Sequence, residues 1–402
     1  MRYFRSPQFI IPIMAIWWAL WLAASMTPLN VFLSPSWEIA AQFGAFVLFF
    51  VLGHAVVVLL GHPRASSVNL GRNEQLPPFV LRRSLHALNW ACLGILLISL
   101  YLSGAFSETF LEYLIKLRSE ELVGDSLTGS RLLDVSTKAL VFPVSYTLTT
   151  VILAVRIGPH RWILAIAVVN ILLFSYLWQV NYSLIHLFWF FVFYTLLGIA
   201  HGSPPNRKTL IFVMSLVCLL VAVAANRFGG DVIGGIQRYV LGYHMAGFSF
   251  YEHHYQNPTS LLHEHSFGRS SLGFFEQFLE ILSRRIDIGF VAASSENATY
   301  NNEAIDLGAT EIIQGNAFGT FLFGFYRDFN VAGIALGGLL YGGFATYLLA
   351  QSRRRWASAA AFYVLGSAWM VGMMVNPIEQ VHFWFSILLI GVLSTLNRGW
   401  KL

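Results

Sequence analysis

Cysteine is nearly absent: the chain holds two in 402 residues, Cys92 and Cys218. Each falls inside an apolar run rather than a loop, a pattern that offers neither a disulfide framework nor a cysteine-based metal centre. Charge is scarce as well. Asp, Glu, Lys and Arg make up 11% of the sequence and hydrophobic residues 56%, a balance at which one water-soluble core could not hide the apolar surface. There is no internal repeat, low-complexity tract or soluble domain. The net charge of +5 is not a nucleic-acid footprint, because the basic residues sit in short loops between apolar runs, where they act as a topology signal.

What the chain does have is ten apolar runs, near residues 9–26, 37–60, 85–102, 139–155, 162–178, 183–200, 210–225, 331–350, 357–375 and 382–396. Most are long enough at 1.5 Å per helical residue to cross a hydrocarbon core of about 30 Å. This predicts an all-α polytopic integral membrane protein, one membrane domain over residues 1–402. The Ala23-Ala24-Ser25 end of the first run resembles a signal-peptidase site, but removing that run spoils the charge alternation that follows, so it reads as an uncleaved first helix. With both termini cytoplasmic, 15 of the 25 Lys and Arg residues and one of the 20 acids fall on the cytoplasmic side. Residues 226–315, the longest polar stretch, then form a large loop on the outer face, where chemistry is expected.

The run from Asn316 to Tyr347 joins that loop to the eighth span. It opens with aromatic residues and one charged pair, Arg327 and Asp328, and continues into a helix studded with Gly333, Gly337, Gly338, Gly342 and Gly343. That spacing leaves one helix face nearly bare and lets another backbone approach. Asn316, Phe318, Phe325, Tyr326, Asp328, Phe329 and Gly333 resemble the N-x-(F/Y)…(F/Y)-Y-x-D-F-x-x-x-G signature of the Wzy-type polymerases of oligosaccharide repeat units. Asn330 stands where that family commonly has glycine. The segment from Gln237 to Phe248, with Arg238, Tyr239, Gly242 and Phe248, resembles the family's first outer-loop segment more loosely.

The resemblance implies a metal-independent glycosyltransferase of the bacterial inner membrane, with no cofactor. It would join repeat units carried on undecaprenyl diphosphate on the periplasmic face, for O-antigen, capsule or exopolysaccharide. Donor and acceptor would both be lipid-linked, a chain-length regulator and a flippase are implied partners, and nucleic acid is not. The rival readings are an O-antigen ligase and a lipid-linked sugar flippase or transporter without chemistry.

On the outer face no nucleotide sugar is at hand, so the substrate must arrive already activated, and a departing diphosphate needs cations. Guanidinium groups suit it by bidentate pairing with phosphate oxygens. The loop supplies Arg227, Arg238, Arg269, Arg284 and Arg285, with Arg327 at the re-entry lip; Tyr239, Tyr326 and Asn316 are candidate sugar contacts. For Arg227 and Arg238 the alternative is snorkelling or an ion pair with Asp231.

Glycosyl transfer also needs an acceptor for the proton of the attacking hydroxyl. His244, beside Arg238, leads the candidates, followed by Glu252 and Asp328, the last of which could instead pair with Arg227 or Arg238. Five histidines fall within 22 residues of the loop, but none shows the spacing of a zinc motif. The stretch from Leu272 to Ile286 is amphipathic, Phe274, Phe275, Phe278, Ile281 and Leu282 opposing Glu276, Gln277, Glu280 and Arg284, with Glu280 and Arg284 spaced to pair. It is expected to lie in the membrane interface, where it could wall a path for the isoprenoid tail.

Overall fold

The computed structural model describes residues 7–60, 79–108, 112–113, 116–117, 126–155, 157–203, 207–227, 231–286, 288–301, 305–308, 313–315 and 319–399. Its principal helices are α1 (Ile10–Ser25), α2 (Trp37–Leu59), α3 (Phe79–Leu102), α4 (Phe142–Val155), α5 (Ile157–Trp178), α6 (Tyr182–Ala200) and α7 (Arg207–Arg227). The loop then contributes α8 (Tyr243–Gln256), α9 (Gly273–Arg285) and α10 (Ala293–Asn301), and the chain ends with α11 (Phe321–Gln351), α12 (Trp356–Val371) and α13 (Val381–Gly399).

Among the described residues, eight helical stretches are long and apolar enough to cross a membrane, and α12 and α13 are shorter apolar helices at the positions of the ninth and tenth predicted runs. The protein is an all-α polytopic membrane protein. Strand is confined, among the described residues, to one antiparallel pair, Ile305–Asp306 with Gln314–Gly315, and a bridge from Phe32 to Gly308.

The centre of the bundle is built around Trp369. Its ring stacks on Phe50 at 3.8 Å and on Phe46 at 5.1 Å, and Trp18 and Tyr341 close the ring from other sides. An indole needs a partner for its N–H in an apolar interior. Here α1 and α12 satisfy each other: Trp17 Nε1 donates to the Met370 carbonyl at 3.0 Å, Trp18 Nε1 to that of Trp369 at 2.8 Å, and Trp369 Nε1 to that of Met14 at 3.0 Å.

The glycine stripe of α11 divides into two jobs. Its membrane half meets α2 in the most extensive helix pairing of the bundle. A Cβ on Gly342 would lie 1.9 Å from the Phe50 carbonyl oxygen, and one on Gly53 of α2 would lie 2.1 Å from that of Leu339, so the two backbones touch from both sides. Gly333 serves the helix itself. α11 breaks at Phe329 and Asn330, Asn330 taking φ +55° and ψ −144°, and the segment before the break folds over so that a Cβ at 333 would meet the Phe325 carbonyl at 1.9 Å. The positive φ explains why a glycine would suit position 330. The sequence marks that point as a departure, and the structure puts asparagine there in a conformation outside the left-handed helical region, one that favours glycine.

Two helices widen locally to π geometry, at Thr137–Val141 and at Ile236–Gly242. The first lies directly before Pro143, which has no N–H to donate backward along α4, so the change of register accommodates the ring. The second carries Arg238. In the segment that follows α3, Tyr113 and Leu117 are buried, and Tyr113 Oη donates to the Leu177 carbonyl at 2.7 Å.

Candidate functional site

The loop between α7 and α11 is folded onto one end of the bundle. α8 is the part most deeply taken in: His244 to Tyr251 are buried, Phe248 packs edge-on to Phe43, and Tyr251 Oη donates to Gln42 Oε1 at 2.7 Å. A second small core of Phe32, Ala246, Phe250, Ile305 and Leu307 joins the α1–α2 connection to the loop.

Asp328 is what fixes the loop to the head of α11. Its side chain is 2% exposed and takes five hydrogen bonds from one turn, residues 266–271. Oδ1 accepts from Ser266 Oγ (2.5 Å), Gly268 N (2.9 Å) and Ser270 N (3.0 Å); Oδ2 accepts from Ser271 N (2.9 Å) and Ser271 Oγ (2.5 Å). The arginine pairing expected for Asp328 is replaced by backbone and serine donors. A buried carboxylate satisfied in this way is architecture, with no lone pair left for a substrate proton.

Arg327, 3% exposed, is tied in as firmly. Nε donates to the Glu264 carbonyl, one terminal nitrogen to the Ala293 carbonyl and to Asn297 Oδ1 (2.6 Å), and the other to Glu296 Oε2 (2.5 Å). Asn297 continues the chain, its amide donating to Glu379 Oε1 at 2.5 Å and to Ser270 Oγ at 3.1 Å. Glu379, in the turn between α12 and α13, thus belongs to the same network.

Burial pushes the Glu379 carboxyl up to about 8, an effect the Asn297 and Asn376 amides and Arg327 only partly offset. The folded protein then holds this proton up to about pH 8, whereas the unfolded chain releases it near 4.5. Between those values the native state binds more protons, so this group's contribution to stability is greatest below about pH 5 and is lost as pH rises through about 8, a change on the order of a few kcal/mol. Glu379→Gln is expected to flatten that decline, and unfolding in detergent followed across this range checks it.

The remaining predicted residues fall in different places. His244 lies under Trp21, rings stacked at 4.4 Å, with Trp17 edge-on at 5.4 Å. Its Nδ1 donates to the Val240 carbonyl at 2.6 Å, which fixes the tautomer, while burial lowers it to about 4. It is neutral at physiological pH and a weak base. Glu252, two turns along α8, ties that helix to the start of α2: Oε2 accepts the Ser36 N–H at 2.5 Å and Oε1 the Gln256 amide at 2.6 Å. Arg238 is half-buried on the second π turn, and Asp231 accepts from Gly234 N as the cap of the short helix before it. Asn316 and the side chains of Arg227, Tyr239, Arg284 and Arg285 lie outside the described residues, and with them the expected Glu280–Arg284 pair.

Tyr326 is brought into a cluster that sequence reading missed. Its ring stands edge-on to Tyr251 (6.2 Å), Tyr255 (5.6 Å) and His263 (6.2 Å), where the head of α11 meets α8 and the N-terminus of α2. Tyr255 Oη donates to Glu38 Oε1 in a short hydrogen bond, and that bond, with partial burial, raises the phenol to about 12. Glu38 is exposed and Tyr255 half-exposed, so the cluster reaches the surface. It presents aromatic faces, a fixed hydroxyl and a carboxylate with lone pairs to spare, a set suited to a polyhydroxylated ligand. The available signal was an acid in the first turn of an otherwise apolar helix.

α9 turns its acids inward. Glu280 Oε2 accepts from Ala292 N and Ser295 Oγ, and Glu276 accepts from Ala293 N and pairs with Arg269 at 2.7 Å. Phe275, Leu279 and Leu282 are exposed, whereas Phe274, expected beside them, is buried. The uncovered apolar face is what an interfacial helix needs.

Comparison with family models, with curated proteins and with solved structures finds no match.

Proposed function

We propose that this chain is a glycosyltransferase that extends undecaprenyl-diphosphate-linked repeat units on the loop-bearing face of the bacterial inner membrane. The observation that carries the reading is the junction of loop and bundle. The stretch resembling Wzy-type polymerases is where a bonded platform supports the Tyr255–Tyr326–Glu38 cluster, whose carboxylate is exposed. In the reaction the acceptor hydroxyl oxygen attacks the anomeric carbon of the donor chain. The carbon–oxygen bond to the diphosphate breaks, and the diphosphate leaves with the electron pair. Arg238, with Arg227, Arg284 and Arg285, neutralises that charge, and the hydroxyl proton passes to a base, for which Glu38 has the exposure that Asp328 lacks.

Deletion of the gene is expected to leave single repeat units on the cell's lipid acceptor in place of a ladder on a polysaccharide gel. Arg238→Ala should reproduce the loss at normal protein levels. Purified protein mixed with lipid-linked repeat units in detergent separates the rivals. Chain lengthening there needs no second compartment, as transport does, and no lipid A core acceptor, as ligation does. If no lengthening occurs while the protein stays folded, the reading is wrong.

A further inference from the structure

The outer side of α9 is an apolar surface on an otherwise polar loop. Leu272, Phe275, Leu279, Leu282 and Ile286 are all exposed. At 3.6 residues per turn their positions fall within about 80° of one another, so they form one narrow stripe along the helix. The acids of α9 are turned the other way. Glu276 accepts from Ala293 N at 2.9 Å, and Glu280 from Ala292 N at 3.1 Å and Ser295 Oγ at 2.5 Å, so among the described side chains the stripe carries no charge.

Amphipathic spacing alone does not say whether such a stripe meets lipid, another protein or a second copy of the chain. Its seat in the fold does. α9 rests on the turn Pro377–Glu379 that leads into α13, and the Phe275 ring packs on that of Trp384 with centres 5.5 Å apart. Trp384 is half-buried in the first turn of α13, and its Nε1 donates to the Ile378 carbonyl at 2.7 Å. A tryptophan so satisfied at the end of an apolar helix is the residue that membrane–water boundaries favour. From Trp384 the outward face of α13 continues at helical spacing through Leu388 and Val392, both exposed. In a polytopic membrane protein that face meets acyl chains. Stripe and span therefore make one continuous apolar surface, joined where Phe275 touches Trp384.

From this continuity we infer that the α9 stripe is embedded in the boundary between headgroups and acyl chains of the leaflet at the loop-bearing end, with the bilayer itself as its partner. A protein contact would need roughly 800 Å² on each side and a polar rim, more breadth than a stripe of single residues gives. A lipid boundary needs only the stripe. The helix is held there as a fixed part of the fold. Its inner acids tie it to residues 292–295, and the turn that Asp328 organises ends at Ser271, one residue before Leu272. The loop is thus docked on two surfaces, the bundle through its polar ties and the lipid through α9. The inference is independent of the proposed reaction.

The test is fluorescence quenching in the full-length protein reconstituted into phosphatidylcholine nanodiscs. Leu279→Cys, Leu282→Cys, Leu388→Cys and Glu264→Cys are made singly in a Cys92→Ala, Cys218→Ala background and labelled with an environment-sensitive fluorophore. All four replaced side chains are exposed, and each variant is first shown to resist limited proteolysis as the parent does. Leu388→Cys, on the span, gives the lipid signature, and Glu264→Cys, on the loop, the aqueous one. Labels at Leu279 and Leu282 are expected to be quenched by nitroxide-bearing phosphatidylcholine and spared by iodide. A nitroxide near the headgroup should quench them about twofold more than one deep in the chain, as a helix lying in the boundary requires. Quenching by iodide to the level of Glu264→Cys at either position would overturn the inference. So would protection from both quenchers, and oxidative cross-linking of Leu279→Cys into a dimer would then name a second copy as the occupant. Leu279 and Leu282 duplicate one another, so a variant that fails to fold leaves the other to decide.

Discussion

Replacing Asp328 by alanine is expected to release the loop from the bundle. The side chain accepts five hydrogen bonds from residues 266–271, and three of those donors are backbone amides with no other partner in view. Leaving them unpaired costs about 1–3 kcal/mol apiece. A loop docked by a few such ties cannot absorb that. Limited proteolysis should therefore cut Asp328→Ala within residues 257–301 at protease levels that spare the parent, while the spans remain intact. Asp328→Asn should fall between the two, because one amide oxygen can serve the Oδ1 donors but the NH₂ group would face the Ser271 N–H. An alanine variant as resistant as the parent would show that the loop is held elsewhere.

Gly342→Leu should be more damaging still, and at a different level. The position has no room for even the first side-chain carbon, since a Cβ would lie 1.9 Å from the Phe50 carbonyl oxygen. α2 and α11 would have to separate along their whole seam, a cost above about 3 kcal/mol by the usual scale of overpacking. The neighbouring Gly343 supplies the control: a Cβ there meets its nearest atom, in the Val57 side chain, at 3.5 Å, an ordinary contact. Gly343→Ala is expected to express and purify as a single species, and Gly342→Leu to aggregate on extraction. Equal behaviour of the two would mean that this seam does not hold the bundle together.

The sequence was legible where one physical signal dominates. Spans were readable because apolar runs of bilayer length have few alternatives, and the charge of the short loops orders them. The glycine stripe was read as a packing face, yet nothing in its spacing told that Gly342 faces α2 whereas Gly333 accommodates its own helix folded back at Asn330. The candidate site was far less visible, because its bonds join residues distant in the chain. Asp328 meets a turn some sixty residues earlier, Tyr255 reaches Glu38, and Asn297 reaches Glu379. Charged side chains in the loop looked like candidate chemistry; most of those described prove to be the means by which a polar segment docks on an apolar bundle. Asp328, Arg327 and Glu252 all belong to that class, and Glu38 escaped notice because it sits inside a run that otherwise reads as span.

The indole bonds between α1 and α12 bear on biogenesis. The partners are separated by 351 to 355 positions, so that many residues must be made after α1 before it can be sealed. At a ribosomal pace of 5–20 residues per second, that is a wait of roughly 20–70 seconds. During that interval the amino-terminal tryptophans must find temporary company among lipid carbonyls or an insertion chaperone. A nascent chain cut short ahead of Trp369 would therefore expose an unclosed seam, the feature by which membrane quality control could recognise it as unfinished.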